Sequence, residues 1–147
     1  MEEKTELIIT IGLPKSGKST WARKQNLPIV NPDSIRLALH GKRYEPLAED
    51  MVWAIHFIMI RSLILAGHSK IIVDATHITE KRRTPYKIKF PDCKLTYHTV
   101  NTGRAECIRR AEEERDTEII PIIENMASKI DGLEFPVCDT TGYQENK

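Results

Sequence analysis

The sequence predicts an α/β chain, a four- to five-stranded parallel sheet with helices on both faces. Apolar, β-branched runs alternate with longer helix-compatible stretches, the order that makes neighbouring strands parallel. A glycine loop, GLPKSGKST at 12–20, separates the first such run from the first helical stretch. The chain of 147 residues is long enough for one domain with a real core, and no linker, repeat or low-complexity segment divides it. Residues 1–147 are therefore expected to form a single domain.

Each element has its own reason. ELIITI (6–11) is an apolar, β-branched run and reads as a buried strand. STWARKQN after the loop carries no Gly or Pro and suits the first helix. PIVN (28–31) is a second short strand, with a helix over about 34–39, and GKRYEP is a turn. The long apolar stretch 51–66 reads as part of a central helix over about 47–66, covered on most sides. Its Met51, Trp53, Phe57 and Met59 are expected in the core. KIIVDAT holds the third strand, and TEKRRTPYKIKF is expected to be helical until Pro85 breaks it. CKLTYHTV is the fourth strand, and helices follow over about 104–114 and 121–130. PVCDT (136–140) suggests a short fifth strand, and only QENK at the end reads as frayed.

Composition narrows the function classes. A formal net charge of +1 gives no global field to recruit nucleic acid, so any such binding must be local. The cysteines, Cys93, Cys107 and Cys138, are odd in number and lack ligand spacing, and read as reduced, buried thiols. The histidines show no metal pattern. The opening MEEKTE is acidic and polar, unlike a secretory signal. The stretch 51–66 falls short of the roughly 20 residues that a membrane span needs, and His56 and Arg61 interrupt it. A cytoplasmic protein without a membrane partner is expected.

Gly12, Leu13, Pro14, Lys15, Ser16, Gly17, Lys18, Ser19 and Thr20 form the candidate nucleotide site, since G-x-x-x-x-G-K-[ST] is the Walker A spacing. Gly12 and Gly17 let backbone N–H groups turn inward around a polyanion. Lys18 reaches β- and γ-phosphates, and the Ser19 hydroxyl is placed to bind Mg²⁺. ATP and Mg²⁺ are the implied cofactors. Ligands of parallel sheets bind at the carboxyl ends of strands. There, NPDSIR offers Asp33, either a general base for a hydroxyl acceptor or the N-cap of the next helix. Arg36, one turn on, suits an acceptor phosphate. IIVDAT places Asp74 after three apolar residues, dressed as a carboxylate of the Mg²⁺ shell.

GLPKSGKSTWA, NPDSIR, VDATHITEKRR and an arginine-bearing helix before IIPIIENM, in this order, resemble the kinase domain of 5′-polynucleotide kinases. These belong to the small P-loop kinases with a GxPxSGKST loop. The resemblance spans nearly the whole chain. It implies a P-loop kinase fold and an ATP-dependent enzyme that phosphorylates 5′-hydroxyl ends of DNA or RNA. By position, Asp33 resembles the general base and Arg36 the contact to the acceptor phosphate. Asp74 resembles the acid that holds that arginine, a role favoured here over the Mg²⁺ reading. Arg115, six residues before Pro121, resembles the lid arginine over the ATP phosphates, with Arg109 and Arg110 left open.

Two positions depart from the family pattern. His77 stands where Asn is common, and Lys15 stands where a small residue is usual; Lys15 adds charge near the phosphates or points to solvent. KRR at 81–83 reads as a contact to a nucleic-acid backbone or as a solvated basic face, with no aromatic platform visible around it. A small-molecule or nucleotide-sugar kinase is the first alternative. A non-catalytic switch is the second, although NTGR after the fourth strand is no N-K-x-D guanine motif.

Overall fold

A computed structural model describes residues 4–130 of the chain. Its strands are β1 (Glu6–Ile11), β2 (Ile29–Val30), β3 (Lys70–Val73) and β4 (Lys94–Thr99). Its helices are α1 (Lys18–Arg23), α2 (Pro32–His40), α3 (Glu49–Leu65), α4 (Glu80–Lys89), α5 (Arg104–Glu113) and α6 (Ile120–Ile130). Short 3₁₀ turns at Pro46–Ala48 and Thr117–Ile119 lead into α3 and α6. The described strands pair in parallel in the order β2-β3-β1-β4. This is the expected P-loop kinase fold. The fifth strand expected at 136–140, with Cys138, lies outside the described residues.

The pleat distributes the apolar run of β1 between two layers. Leu7 pairs with Ile71 and Ile9 with Val73, and these side chains pack with Ile60 of α3, with Tyr86 of α4 and with Phe90, which caps α4. Ile8 pairs with Ile72, and both point the other way, onto Ala22 and the partly buried Trp21 of α1. Helices thus cover both faces, which is why the strands read as continuous apolar runs. A separate cluster, Leu13, Cys107, Ala111, Ile119 and Ile123, ties α5 and α6 to the glycine loop.

Topology fixes where the chemistry can sit. The chain leaves β1 toward β2 and β3, then leaves β3 to cross to β4 on the far side of β1. The loops after β1 and β3 therefore part in opposite senses and open a crevice at the carboxyl end of the sheet.

Three element expectations need correction. The first helix ends at Arg23, and Asn26 takes a left-handed φ of +55° before the chain turns into β2. In α3, Val52, His56 and Ile60 face the core, while Met51, Ile58, Met59 and Leu65 are exposed. That helix is covered on one side rather than most, and Met51 and Met59 are not core residues. Pro85 does not break α4, which runs through it to Lys89. A proline inside a helix costs roughly 3 kcal/mol, and the burial of Tyr86 and Phe90 just beyond it offsets that cost.

Candidate active site

The glycine loop closes tightly over the end of β1. A Cβ on Gly12 would meet Ser16 Oγ at 2.8 Å and the Val100 carbonyl at 2.9 Å, so only glycine fits there. Gly17 caps α1 with φ +106°, and Lys15 also takes a positive φ of +67°. Such left-handed residues turn successive N–H groups to one side and make an anion-binding concavity. Ser16 is buried, and its carbonyl accepts from the Thr102 hydroxyl at 2.8 Å. Lys18 is buried too, its Nζ donating to the Leu13 carbonyl at 2.7 Å. Burial lowers its pKa, opposed by the charges of Asp74 and Asp33 among others. Both carboxylates therefore act on the Lys18 ammonium.

Asp74 lies beside Ser19, not beside Arg36. The Ser19 hydroxyl donates to Asp74 Oδ2 at 2.7 Å, and Asn31 Nδ2 donates to the same oxygen at 3.1 Å. Thr10 Oγ1 stands 3.3 Å from Oδ1. The family-derived role of Asp74 as the acid that holds Arg36 is corrected: the register of β3 against β1 carries Asp74 to the loop instead. A hydroxyl and a carboxylate in contact are the hard oxygen donors that suit Mg²⁺, with water completing its shell.

Arg36 is held by a residue that the sequence did not single out. Its Nε donates to Glu49 Oε2 at 2.8 Å and its Nη2 to Oε1 at 2.7 Å, a bidentate pair with the first turn of α3. The hydrogen bonding of Arg36 to the Glu49 carboxylate is the main cause that raises the Arg36 pKa. In return Arg36 holds the Glu49 carboxyl below the ordinary range. Arg36 Nη1 also reaches Asp33 Oδ1 at 2.7 Å.

Asp33 is not the N-cap. That residue is Asn31, whose Oδ1 accepts from the Asp33 N–H at 2.7 Å, with Pro32 opening the helix. The Asp33 side chain keeps 71% of its surface exposed and serves no capping duty. Asn before Pro at a helix start is a legible signature, and it would have separated the two readings of Asp33.

The segment expected to form the lid follows α5. Arg109 pairs with Glu106 and Glu113 on the outer face. Arg110 donates from Nε to Glu106 at 2.8 Å and from Nη1 to the Lys15 carbonyl at 3.0 Å, which brings it to the loop. Arg115 is exposed, with φ +58°. Its neighbours fix its place: Lys15 Nζ lies 2.9 Å from Glu114 and 3.1 Å from Asp116. Arg43, from the turn after α2, closes on Asp116 at 2.6 Å. Lys15 thus neither faces open solvent nor stands free; it fastens the loop to the segment after α5.

Of KRR at 81–83, Lys81 and Arg82 are exposed as a solvated face would have them, while Arg83 is not. Arg83 is buried and donates to the His77 carbonyl at 2.8 Å, and Arg82 lies 4.4 Å over the Trp53 ring. Glu49 and Thr10, and the bond from Asn31 to Asp74, were missed because their partners are distant in sequence. A cleft of about 170 Å³ adjoins the loop between Gly12, Asn101, Arg104 and Ala127, beside the phosphate cradle rather than over it. Among the described residues, no helix is long and apolar enough to cross a membrane.

The AAA domain family (AAA_33) matches residues 7–121. Among solved structures, the chain is similar to one in the Pnkp1/Rnl/Hen1 RNA repair complex, with 21% identity and a TM-score of 0.75, over 89% of this chain and 45% of that one. A second structure of the Pnkp1/Rnl/Hen1 complex aligns with 24% identity and a TM-score of 0.67, over 75% of this chain and 40% of that one. The chain thus spans less than half the length of these neighbours. A gluconokinase from Sinorhizobium meliloti aligns with 17% identity and a TM-score of 0.55, over 97% of this chain and 83% of its own.

Proposed function

The chain belongs to this AAA domain family, and from that premise we propose that it is an ATP-dependent kinase for the 5′-hydroxyl end of DNA or RNA. One observation carries the reading: an exposed carboxylate, Asp33, relieved of capping by Asn31, stands beside an arginine that Glu49 fixes and acts electrostatically on Lys18. A carboxylate so placed can orient a hydroxyl and take its proton as the hydroxyl attacks the γ-phosphate. Arg36 offers its remaining donors to a phosphate of the acceptor, and Asp33 is freed when it does. Nucleic-acid ends carry such a phosphate.

On the donor side the loop N–H groups and Lys18 bind the β- and γ-phosphates. Ser19 and Asp74 would hold Mg²⁺, which neutralises charge on the transferring group. Arg115 is the proposed lid arginine, since Glu114 and Asp116 on either side of it are tied to Lys15. The RNA repair complexes named above support a nucleic-acid acceptor by analogy of fold. A cytoplasmic location is part of the same proposal.

A small-molecule acceptor is the second reading. The gluconokinase match favours it, because that alignment accounts for most of both chains. Incubation with Mg·ATP and a panel of 5′-hydroxyl oligonucleotides, nucleosides and sugar acids separates the two. Transfer to oligonucleotides, lost when the 5′ end is already phosphorylated, is the expected result. Transfer to a sugar acid alone would overturn the nucleic-acid reading and leave the kinase.

A further inference from the structure

Behind the crevice, three buried rings form a hydrogen-bonded chain. His77, at the position that departs from the resembled family, takes φ +47°, a conformation that His, Asn and Asp tolerate better than most residues. Its Nδ1 lies 2.8 Å from the Thr10 carbonyl and its Nε2 2.8 Å from the Tyr86 hydroxyl. The same hydroxyl lies 2.8 Å from Nε2 of His56 in α3. None of the three rings reaches solvent beyond 1% of its surface.

Chemistry fixes the direction of every bond. A carbonyl only accepts, so His77 Nδ1 carries the proton. Burial lowers the pKa of both histidines, His77 to about 4 and His56 to about 3, and both rings are neutral near pH 7. A neutral His77 then has a bare Nε2, which accepts from Tyr86. Having given its one proton, the Tyr86 oxygen accepts from His56 Nε2–H. The chain ends at His56 Nδ1, which has no hydrogen-bond partner.

The two ends of this chain meet the two halves of the site. At one end, the Thr10 hydroxyl donates to the Ala75 carbonyl at 2.9 Å and stands 3.3 Å from Asp74, while the Thr76 carbonyl accepts the Gly12 N–H at 3.0 Å. Asp74 to His77 is thereby pinned against β1, and Arg83 clamps the His77 carbonyl. At the other end, His56 lies on the helix whose first turn carries Glu49, the holder of Arg36. Apolar contacts alone let a helix slide or rotate on a sheet; directional bonds to a ring do not. We propose that the His77–Tyr86–His56 chain is a positioning device that sets the phosphate loop and Asp74 against the helix that holds the acceptor arginine. None of the three is placed to touch nucleotide or acceptor, so they are positioning residues. Their effect on turnover rests on the kinase reading.

Two variants cut the same link in different ways. Tyr86→Phe keeps the ring and removes both hydroxyl bonds. His77→Asn tolerates the positive φ and keeps a donor near the Thr10 carbonyl, yet does not reach Tyr86. Both are expected to fold, as melting curves check. Well below the melting point, kcat should fall about tenfold in each, a modest part of what misplacement of reacting groups can cost. ATP affinity should change little. The double variant should be no slower than the slower single one, because both remove one interaction. Amide exchange at Gly12 should rise in both, and imidazole ¹⁵N spectra of the unaltered protein should show His77 as the Nδ1–H tautomer and His56 as Nε2–H. Unchanged kcat and Gly12 exchange with only a lower melting point would reduce the rings to structural residues. The opposite tautomer at His77 would remove the chain itself. If no acceptor is phosphorylated, the kinase reading fails, while exchange and ¹⁵N spectra still decide this proposal.

Discussion

At the phosphate loop, Thr10, Ser16, Lys18 and Asp74 are all buried and bonded to main chain or to one another. Across the crevice, Asp33, Arg36 and Arg43 are held through ion pairs, and Asp33 and Arg43 reach well into solvent. Buried hydrogen bonds to backbone are fixed by the fold and are insensitive to salt. Exposed ion pairs are weak, screened and easily exchanged for a ligand's charges. On the proposed function, the donor half is therefore built before nucleotide arrives, whereas Asp33 and Arg43, unlike the half-buried Arg36–Glu49 pair, are held by contacts that a substrate phosphate can replace.

The largest effect should come from the adaptable half. Arg115→Ala should slow phosphoryl transfer by about 10³–10⁵, the worth of an arginine that stabilises the transferring group. Single-turnover rates at saturating ATP measure it. A loss under about tenfold, with Arg110→Ala costly instead, would move the lid role to the arginine that touches the Lys15 carbonyl.

Asp33→Asn comes next, with transfer slowed by about 10²–10⁴. Because Asn31 caps α2, the melting temperature should hardly move. Asn31→Ala should show the converse, a loss of about 0.5–2 kcal/mol of stability from the missing cap, read by chemical denaturation.

Acid should expose the buried half. His77 and His56 have folded-state pKa values pushed by burial from 6.5 to about 4 and about 3. Between those values and 6.5 the unfolded chain binds more protons, so stability is full above pH 6.5 and is lost as pH falls toward 4. Each ring contributes a slope of up to about 1.4 kcal/mol per pH unit within its window. His98, lowered to about 4 by burial, adds to the same trend. The Arg43 hydrogen bond holds Asp116 down to about 2, so the Asp116 contribution is lost only at lower pH than the histidine one begins. Denaturant titrations from pH 7 to pH 4 check this, and His77→Asn should flatten the slope.

Arg43→Ala should have the smallest effect, under about 1 kcal/mol, as for other exposed ion pairs. Its loss should vanish in high salt, where the Tyr86→Phe effect should persist.

The buried half was also the more legible in the sequence. Gly12 and Gly17 are demanded by steric contact and by positive φ, so the loop announces itself in spacing alone. β1 and β3 are β-branched because both faces of the sheet are covered. The acceptor half was read only in part, because its partners come from distant segments. Glu49 lies thirteen residues beyond Arg36 on another helix and carries no motif. Asp74 fitted the local pattern of an Mg²⁺ carboxylate, but the resemblance favoured the role of holding Arg36, and only the register of β3 beside β1 gives it to Ser19. Arg83 read as part of a charged run, yet burial against the His77 carbonyl takes it out of that run, while Arg82 stays exposed over the Trp53 ring.

The separation of the two halves is tested most directly by the ATP affinity of the Asp33→Asn/Arg36→Ala double variant, measured by calorimetry with Mg²⁺ beside the unaltered protein. A donor site that is built independently predicts a dissociation constant within about threefold, since Asp33 reaches Lys18 only through its charge and groups that make no direct contact act nearly additively. A constant weakened by more than about tenfold, or 1.4 kcal/mol, would show that the acceptor carboxylate and arginine help form the nucleotide site and would contradict the account.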